Sequence, residues 1–314
     1  MSTLVIKTLD ELARVTELSE SDLALIKNAI GSKAITVANL RTAITGALAN
    51  LTTTDKSSIV AAINELVAKD ATLTGIVNPL TFHNAGSHNA QYRGKTFTEI
   101  DATHYAQIQA GTFDDFYPGD KIIRNGRTYL AAHLDYWLDC GDTACNTHHL
   151  VLIPETQLGT AKMNDTNTTE GGYIGSAMRT TNLAAAKALI EEDFGASHIL
   201  THREYMENAM SSGRPSAGAW TNSDVDLMNE RMVYGAAAFE PANDGTNIPT
   251  IYTTSKTQLA IFQHDPSKIT TRSNWWLRTP VSAAYFANVN NYGHCNYNSA
   301  SNALGVRPAF AIKA

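Results

Sequence analysis

Asp120-Lys121-Ile122-Ile123-Arg124-Asn125-Gly126-Arg127-Thr128-Tyr129-Leu130-Ala131 is the stretch on which the fold class turns. Two runs that suit strands flank Asn125-Gly126. That dipeptide favours the type I′ turn, because both of its central positions need positive φ. An antiparallel hairpin is therefore expected here. Downstream, His149-Leu150-Val151-Leu152-Ile153, stopped by Pro154, reads as a buried strand. Thr181 can cap a helix over 182–194 that turns Leu183, Ala186, Leu189, Ile190 and Phe194 inward, with Gly195 closing it. Residues 197–200 read as a short strand. Thr201-His202-Arg203-Glu204 reads as a capping box opening a helix through Met210. Later strands are expected over 232–237, 259–263, 285–289 and 306–312. Helices clustered among antiparallel strands mean α+β rather than alternating α/β.

The 314 residues suggest two domains. Hydrophobic residues at 43% can build a core, while the charged fraction is only 17%, against about 25% in an average soluble domain. The net charge of −6 gives no global attraction for nucleic acid. No apolar run approaches the roughly 20 residues that span a bilayer, so membrane insertion is not expected. Met1-Ser2-Thr3-Leu4-Val5-Ile6-Lys7 lacks the apolar core of a secretory signal, which points to synthesis in the cytoplasm. Composition also divides the chain. Residues 1–78 contain no Phe, Trp, Tyr, His, Cys or Pro, and residues 279–306 contain no Asp, Glu, Lys or Arg.

Residues 1–78 read as an all-helical segment. Thr8-Leu9-Asp10-Glu11 fits a capping box, with Leu9, Leu12 and Val15 inward. Ser19 or Ser21 caps a second helix carrying Leu23, Ile26 and Ile30, and Gly31 stops it. Val37, Leu40, Ile44, Ala47 and Leu51 follow a 3-4 spacing. Ile59, Ile63, Leu66, Asp70, Leu73 and Val77 repeat it with Asp70 as the exception. Such stripes fit a seam for another helix. The segment is either a small bundle folded alone or a self-associating one. Narrow stripes with so little bulky surface make a poor monomeric core. Residues 51–66 (Leu51-Thr52-Thr53-Thr54-Asp55-Lys56-Ser57-Ser58-Ile59-Val60-Ala61-Ala62-Ile63-Asn64-Glu65-Leu66) resemble a stretch of phage tail fibres. There it lies in oligomeric, often trimeric, shafts or anchors, so the resemblance implies a homotrimer formed through residues 1–78.

Residues 79–94, rich in Asn, Gly, Ser and His, read as a linker. Residues 95–314 form the head. Its tail holds Asn274-Trp275-Trp276-Leu277-Arg278-Thr279-Pro280, then Phe286, Val289 and Gly293, then Gly305-Val306-Arg307-Pro308-Ala309-Phe310. This resembles the C-terminal half of a C-type-lectin-like domain of the formylglycine-generating-enzyme branch. More closely, it resembles the variable ligand-binding proteins of diversity-generating retroelements. Gly111-Thr112-Phe113-Asp114-Asp115, Tyr117-Pro118-Gly119-Asp120, 171–178 and Asp226-Leu227-Met228-Asn229-Glu230 agree with phage structural proteins. From the residues alone, Trp275, Trp276, Leu277, Phe286, Val289, Val306 and Phe310 are core. Arg278 and Arg307 either brace the fold against carboxylates or carbonyls, or contact ligand.

Between those arginines lie Tyr285, Asn288, Asn290, Asn291, Tyr292, His294, Asn296, Tyr297 and Asn298. Dense Tyr and Asn without charge is the composition of an antibody-like paratope, though Asn also collects in turns. Alternation would send Val289 inward and both Asn288 and Asn290 outward. The resemblance implies a surface diversified at adenine-rich Asn codons. It also implies a virion adhesin at a tail fibre or tail tip, with other tail proteins and a bacterial surface protein or glycan as partners.

Catalysis is the other class of reading, as an oxidase or envelope hydrolase on the same fold; a ligand-free structural virion protein is a third. The formylglycine-generating enzymes use a cysteine pair near the C-terminus, and here the tail has Cys295 alone. Cys140 and Cys145 admit a disulfide, a metal site with His148 or His149, or reduced thiols. Cytoplasmic synthesis favours thiols, and adjacent His148 and His149 on a strand point to opposite faces. His198 and His202 are four apart but divided between elements by the Thr201 cap. Calcium-dependent lectin motifs are lacking: Glu240-Pro241 is followed by Ala242 rather than Asn, and no Trp-Asn-Asp occurs. No zinc, phosphate-loop or nucleophile-elbow motif occurs. The expectation is a non-enzymatic binding protein without metal or cofactor.

Overall fold

The computed structural model describes residues 23–28, 31–39, 52–80, 84–206, 210–211, 214–215, 218–239 and 257–314. Contacts divide the chain into two compact units, residues 1–81 and 82–314. Helices and strands mix in an α+β arrangement.

In the first unit, β1 (Leu23–Asn28) and β2 (Gly31–Thr36) pair antiparallel, with Asn28 opposite Gly31. The helix expected to carry Leu23 and Ile26 is therefore a hairpin, and the all-helical reading fails at this point. Leu23, Leu25 and Ala24, Ile26 are apolar at both the helical and the strand period, so eight residues of pattern do not choose between them. Gly31, read as a helix stop, opens the return strand. The capping box at Thr8 and the seam positions Leu40 to Leu51 lie outside the described residues. Helix α1 (Ile59–Leu80) follows. Ser58 Oγ accepts the Ala61 amide at its start. Glu65 reaches back to accept the Thr54 and Asp55 amides and pairs with Lys69. Those contacts hold the Glu65 carboxyl down at about 2. Val60, Ile63, Leu66, Val67 and Leu73 are exposed along α1.

The second unit opens with α2 (Ala85–Asn89), capped by Asn84. Residues 84–94, read as a linker, are built into this unit. His88 is buried, stacks on Tyr117 at 4.1 Å and bonds Phe116 O, while the Asn89 amide donates to Leu134 O. A run of small polar residues carries no sign of these distant partners. Next come β3 (Thr96–Phe97), α3 (Ala102–Ala110), β4 (Lys121–Arg124), β5 (Arg127–Leu134), β6 (Leu150–Pro154) and β7 (Thr160–Lys162). The β4–β5 turn has the form its sequence demands: Asn125 and Gly126 take φ of 46° and 77°. After a π-helical turn, α4 (Ala184–Phe194) ends at Gly195.

Beyond α4 four expectations fail. Of the strand expected over 197–200, residues 196–198 form a 3-10 turn and only Ile199 pairs, in an isolated bridge to Ile312. His202–Met206 is strand β8, not a helix, because it pairs in register with β11 (Ala219–Ser223). Strands β9 (Met210–Ser211) and β10 (Arg214–Pro215) lie between them. After β12 (Val225–Leu227), the segments expected as strands at 232–237 and 259–263 contain α5 (Glu230–Tyr234) and α6 (Ala260–His264). Asn229 Oδ1 accepts the Met232 amide and Gly235 adopts αL, two helix-end signals that outweigh the apolar run. The chain closes with β13 (Trp275–Pro280), β14 (Tyr285–Val289), β15 (Cys295–Ser299), β16 (Ala303–Gly305) and β17 (Pro308–Ile312).

Two sheets organise the unit. One has the order β12-β17-β6-β5-β4-β3 and the other β15-β14-β13-β16-β7. Strands β6, β13 and β17 are buried along their whole length. The second sheet packs a core on each face. Trp275, Leu277, Ala287 and Val289 join one cluster, and Trp276 and Phe286 another.

Candidate functional site

The nine sequence-predicted residues all fall on β14, β15 and the turn between them. Strand β14 pairs with β13 on one side (Trp275 opposite Val289, Trp276 opposite Asn288) and with β15 on the other. Among the described residues, strand β15 is one edge of the sheet and β7 the other.

The expected alternation along β14 is corrected here. Val289 is buried, but so is Asn288, at 1% exposure. Because the sheet carries a core on both faces, neither side of β14 meets solvent from Phe286 to Val289. Asn288 Oδ1 is buried and has no hydrogen-bond partner among the described residues. Asn288 belongs to the interior rather than to a displayed surface.

The turn is tightly held. Asn290 N donates to His294 O, and Gly293 N to Asn290 O. Asn290 Oδ1 accepts the amides of Tyr292 and His294, each at 3.0 Å. Asn291 N donates to Asn274 Oδ1 at 2.8 Å, Thr270 Oγ1 donates to Asn291 O, and Tyr234 OH donates to Gly293 O. Asn290 is thus a turn brace. What the turn presents is Tyr292, 76% exposed, with the His294 ring 6.3 Å away.

On the edge strand the asparagines do something else. In an antiparallel ladder, hydrogen-bonded and non-bonded pairs alternate. The 290–294 bond therefore leaves the Tyr297 and Ser299 amides pointing away from β14. Asn296 Oδ1 accepts the Tyr297 amide at 2.8 Å and Asn298 Oδ1 the Ser299 amide at 2.9 Å. Each side chain closes the outward amide that follows it, which protects an edge open to strand addition. Tyr285 and Tyr297 stay exposed with centroids 5.3 Å apart, and Phe239 meets Tyr297 edge-on at 5.7 Å. The structure brings together Tyr285, Tyr292, His294 and Tyr297 as displayed rings. Asn290, Asn296 and Asn298 frame them, and Asn291 is exposed on the turn.

The flanking arginines brace the scaffold. Arg278 Nη2 donates to Glu204 Oε1 at 2.8 Å, both side chains being buried. Burial raises the Glu204 carboxyl, but the Arg278 and His202 contacts outweigh it and hold it far below the usual range. Arg307 donates to Pro154 O and Lys268 O and lies beside the rings of Phe262 and Trp275. Burial lowers its pKa to about 9. Glu204 was hidden by its apparent capping box. The signal that reveals it is the period-two burial of His202, Glu204 and Met206.

Cys140 and Cys145 are not activated as nucleophiles. Cys140, Cys145 and Cys295 are not joined in a disulfide among the described residues, and burial pushes Cys140 up to about 11 and Cys145 upward. His148 Nδ1 lies 2.7 Å from Asp135 Oδ2, while His149 Nε2 accepts the Trp137 amide. Among the described residues, no group of three or more His, Cys, Asp or Glu side chains is placed to hold a metal ion. Clefts of about 370 Å³ beside Arg127, Glu155 and Leu189, and about 280 Å³ beside Tyr105, Arg124 and His198, share no residue with the hairpin.

The β8-paired strand β11 and everything after it coincide with a known sequence family. Residues 219–314 match DUF6273, a domain of unknown function. The match covers under a third of the chain and includes the whole β14–β15 hairpin. No curated protein and no solved structure shows significant similarity to the chain.

Proposed function

We propose that this protein is a phage receptor-binding adhesin. Its second unit is a C-type-lectin-like head that displays the β14–β15 hairpin to a bacterial surface ligand, without covalent chemistry. The first unit supplies self-association through the exposed stripe of α1, in a homotrimer carried on the virion tail. Several heads on one particle then add avidity to weak single contacts.

One observation carries the reading. Three exposed tyrosines sit on a hairpin without formal charge, whose turn is tied by hydrogen bonds to residues 234, 270 and 274. Tyrosine offers large contact area at small entropic cost, and a rigid support keeps that cost low.

The test uses the full chain, fluorescently labelled, on a panel of bacterial cells. Adhesion to at least one strain is expected. Replacing Tyr285, Tyr292 and Tyr297 together by Ala should abolish adhesion while leaving the circular dichroism spectrum and melting profile in place. Equal adhesion by that variant would overturn the assignment.

A further inference from the structure

We propose that the ligand of the hairpin is an extended, uncharged polysaccharide stacked on Tyr285, Tyr297 and Tyr292. This rests on the hairpin being the recognition surface. Of the five exposed large apolar side chains described in the second unit, three are these tyrosines, beside Tyr92 and Ile123. A tyrosine ring has an apolar face for the C–H side of a sugar and a hydroxyl for its polar rim.

Position, charge and edge chemistry narrow the occupant. Tyr285 begins β14 and Tyr292 lies in the turn beyond its end. Five residues from Tyr285 to Asn290 at about 3.3 Å each give about 17 Å between the two ring stations. A ligand touching both is a chain, not a single ring. From Thr279 to Val306 the sequence holds no Asp, Glu, Lys or Arg, so the hairpin supplies no countercharge for an acidic or basic polymer. The side chains of Asn296 and Asn298 already occupy two outward amides of β15, those of Tyr297 and Ser299. An extended peptide adding as a further strand would have to displace them. Small ligands favour concave, enclosed sites, whereas these rings stand exposed on an edge hairpin, which suits a polymer laid across them.

The experiment prints neutral polysaccharides (dextran, starch, galactomannan) and acidic ones (polygalacturonate, hyaluronate) as an array and probes it with the full chain. Retention by at least one neutral member is expected, unchanged between about 50 and about 500 mM salt because no ion pairs are screened. The Tyr285→Ala, Tyr297→Ala double variant should lose about tenfold or more in apparent affinity. The corresponding Phe double variant keeps the rings and should stay within about threefold. Melting curves of both variants control for folding. Retention confined to acidic members, or abolished by salt, overturns the inference. If no neutral member is retained but cells are still bound through the same tyrosines, the saccharide inference falls and the adhesin reading stands. If the Ala variant binds cells like the parent, or no cell binds either, both fall.

Discussion

Acidification should unfold the second unit through two desolvated imidazoles, half-buried His133 and fully buried His149. His133 lies in β5, where its Nδ1 accepts the Ala260 amide, and burial lowers its pKa to about 4. His149 leads into β6. Its Nδ1–H faces Thr147 O and its Nε2 accepts the Trp137 amide, so the neutral ring is already satisfied. Burial lowers its pKa to about 3. An unfolded histidine takes its proton near 6.5. Below that pH the unfolded chain binds more protons than the folded one, so stability is full above about 6.5 and falls with pH. At pH about 4.5 each imidazole has cost about 2–3 kcal/mol and the pair about 5 kcal/mol, comparable to the whole stability of many domains. Asp135 and Asp226, raised by burial, act in the opposite sense, and Glu204 adds to the acid loss. The assay is urea unfolding followed by tryptophan fluorescence between about pH 7.5 and about pH 4.5. His133→Asn with His149→Gln should flatten most of the slope. A flat profile in the parent, or an unchanged slope in the double variant, would refute the reasoning.

Other perturbations read different parts of the scaffold. Arg278→Met strands the Glu204 carboxylate in the interior and should cost about 3–5 kcal/mol; adding Glu204→Gln should recover part of it, as thermal melts would show. Asn288→Leu replaces a buried amide whose Oδ1 has no partner among the described residues and should raise stability by about 1 kcal/mol, read as a higher urea midpoint. A fall instead would show that the buried Asn288 amide contributes to the interior, against this expectation. Ile63→Asp with Leu66→Asp in the full chain should shift sedimentation velocity from oligomer to monomer, and an unchanged coefficient would remove α1 from the assembly.

How much of this was legible in the sequence depended on the range of the deciding interaction. The β4–β5 hairpin was fully readable, because Asn125-Gly126 fixes the turn through its own backbone. Helix α4 was close, displaced by a π-helical turn that absorbed its expected cap at Thr181. Strand β8 was misread because a local capping box lost to a ladder with β11 and a buried bond to Arg278, neither of which a local pattern contains. The hairpin of the first unit was missed because its apolar positions satisfy two periods at once. At the candidate site, composition marks the stretch 285–298, but it does not say what each residue there does. Asparagine looks the same in a paratope, in a turn and on a guarded edge. Only the contacts of Asn288, Asn290, Asn296 and Asn298 tell an interior amide, a brace and two amide caps apart. The tyrosines survived this sorting because exposure, not pattern, marks them.

The most direct test of the central claim is hydroxyl-radical footprinting of the full chain, free and bound to the bacterial cells it adheres to. Tyr92, exposed and outside the hairpin, serves as the internal reference. The account predicts that binding protects Tyr285, Tyr292 and Tyr297 while Tyr92 reacts as before. Equal reactivity of the three hairpin tyrosines in the free and bound chain would contradict it.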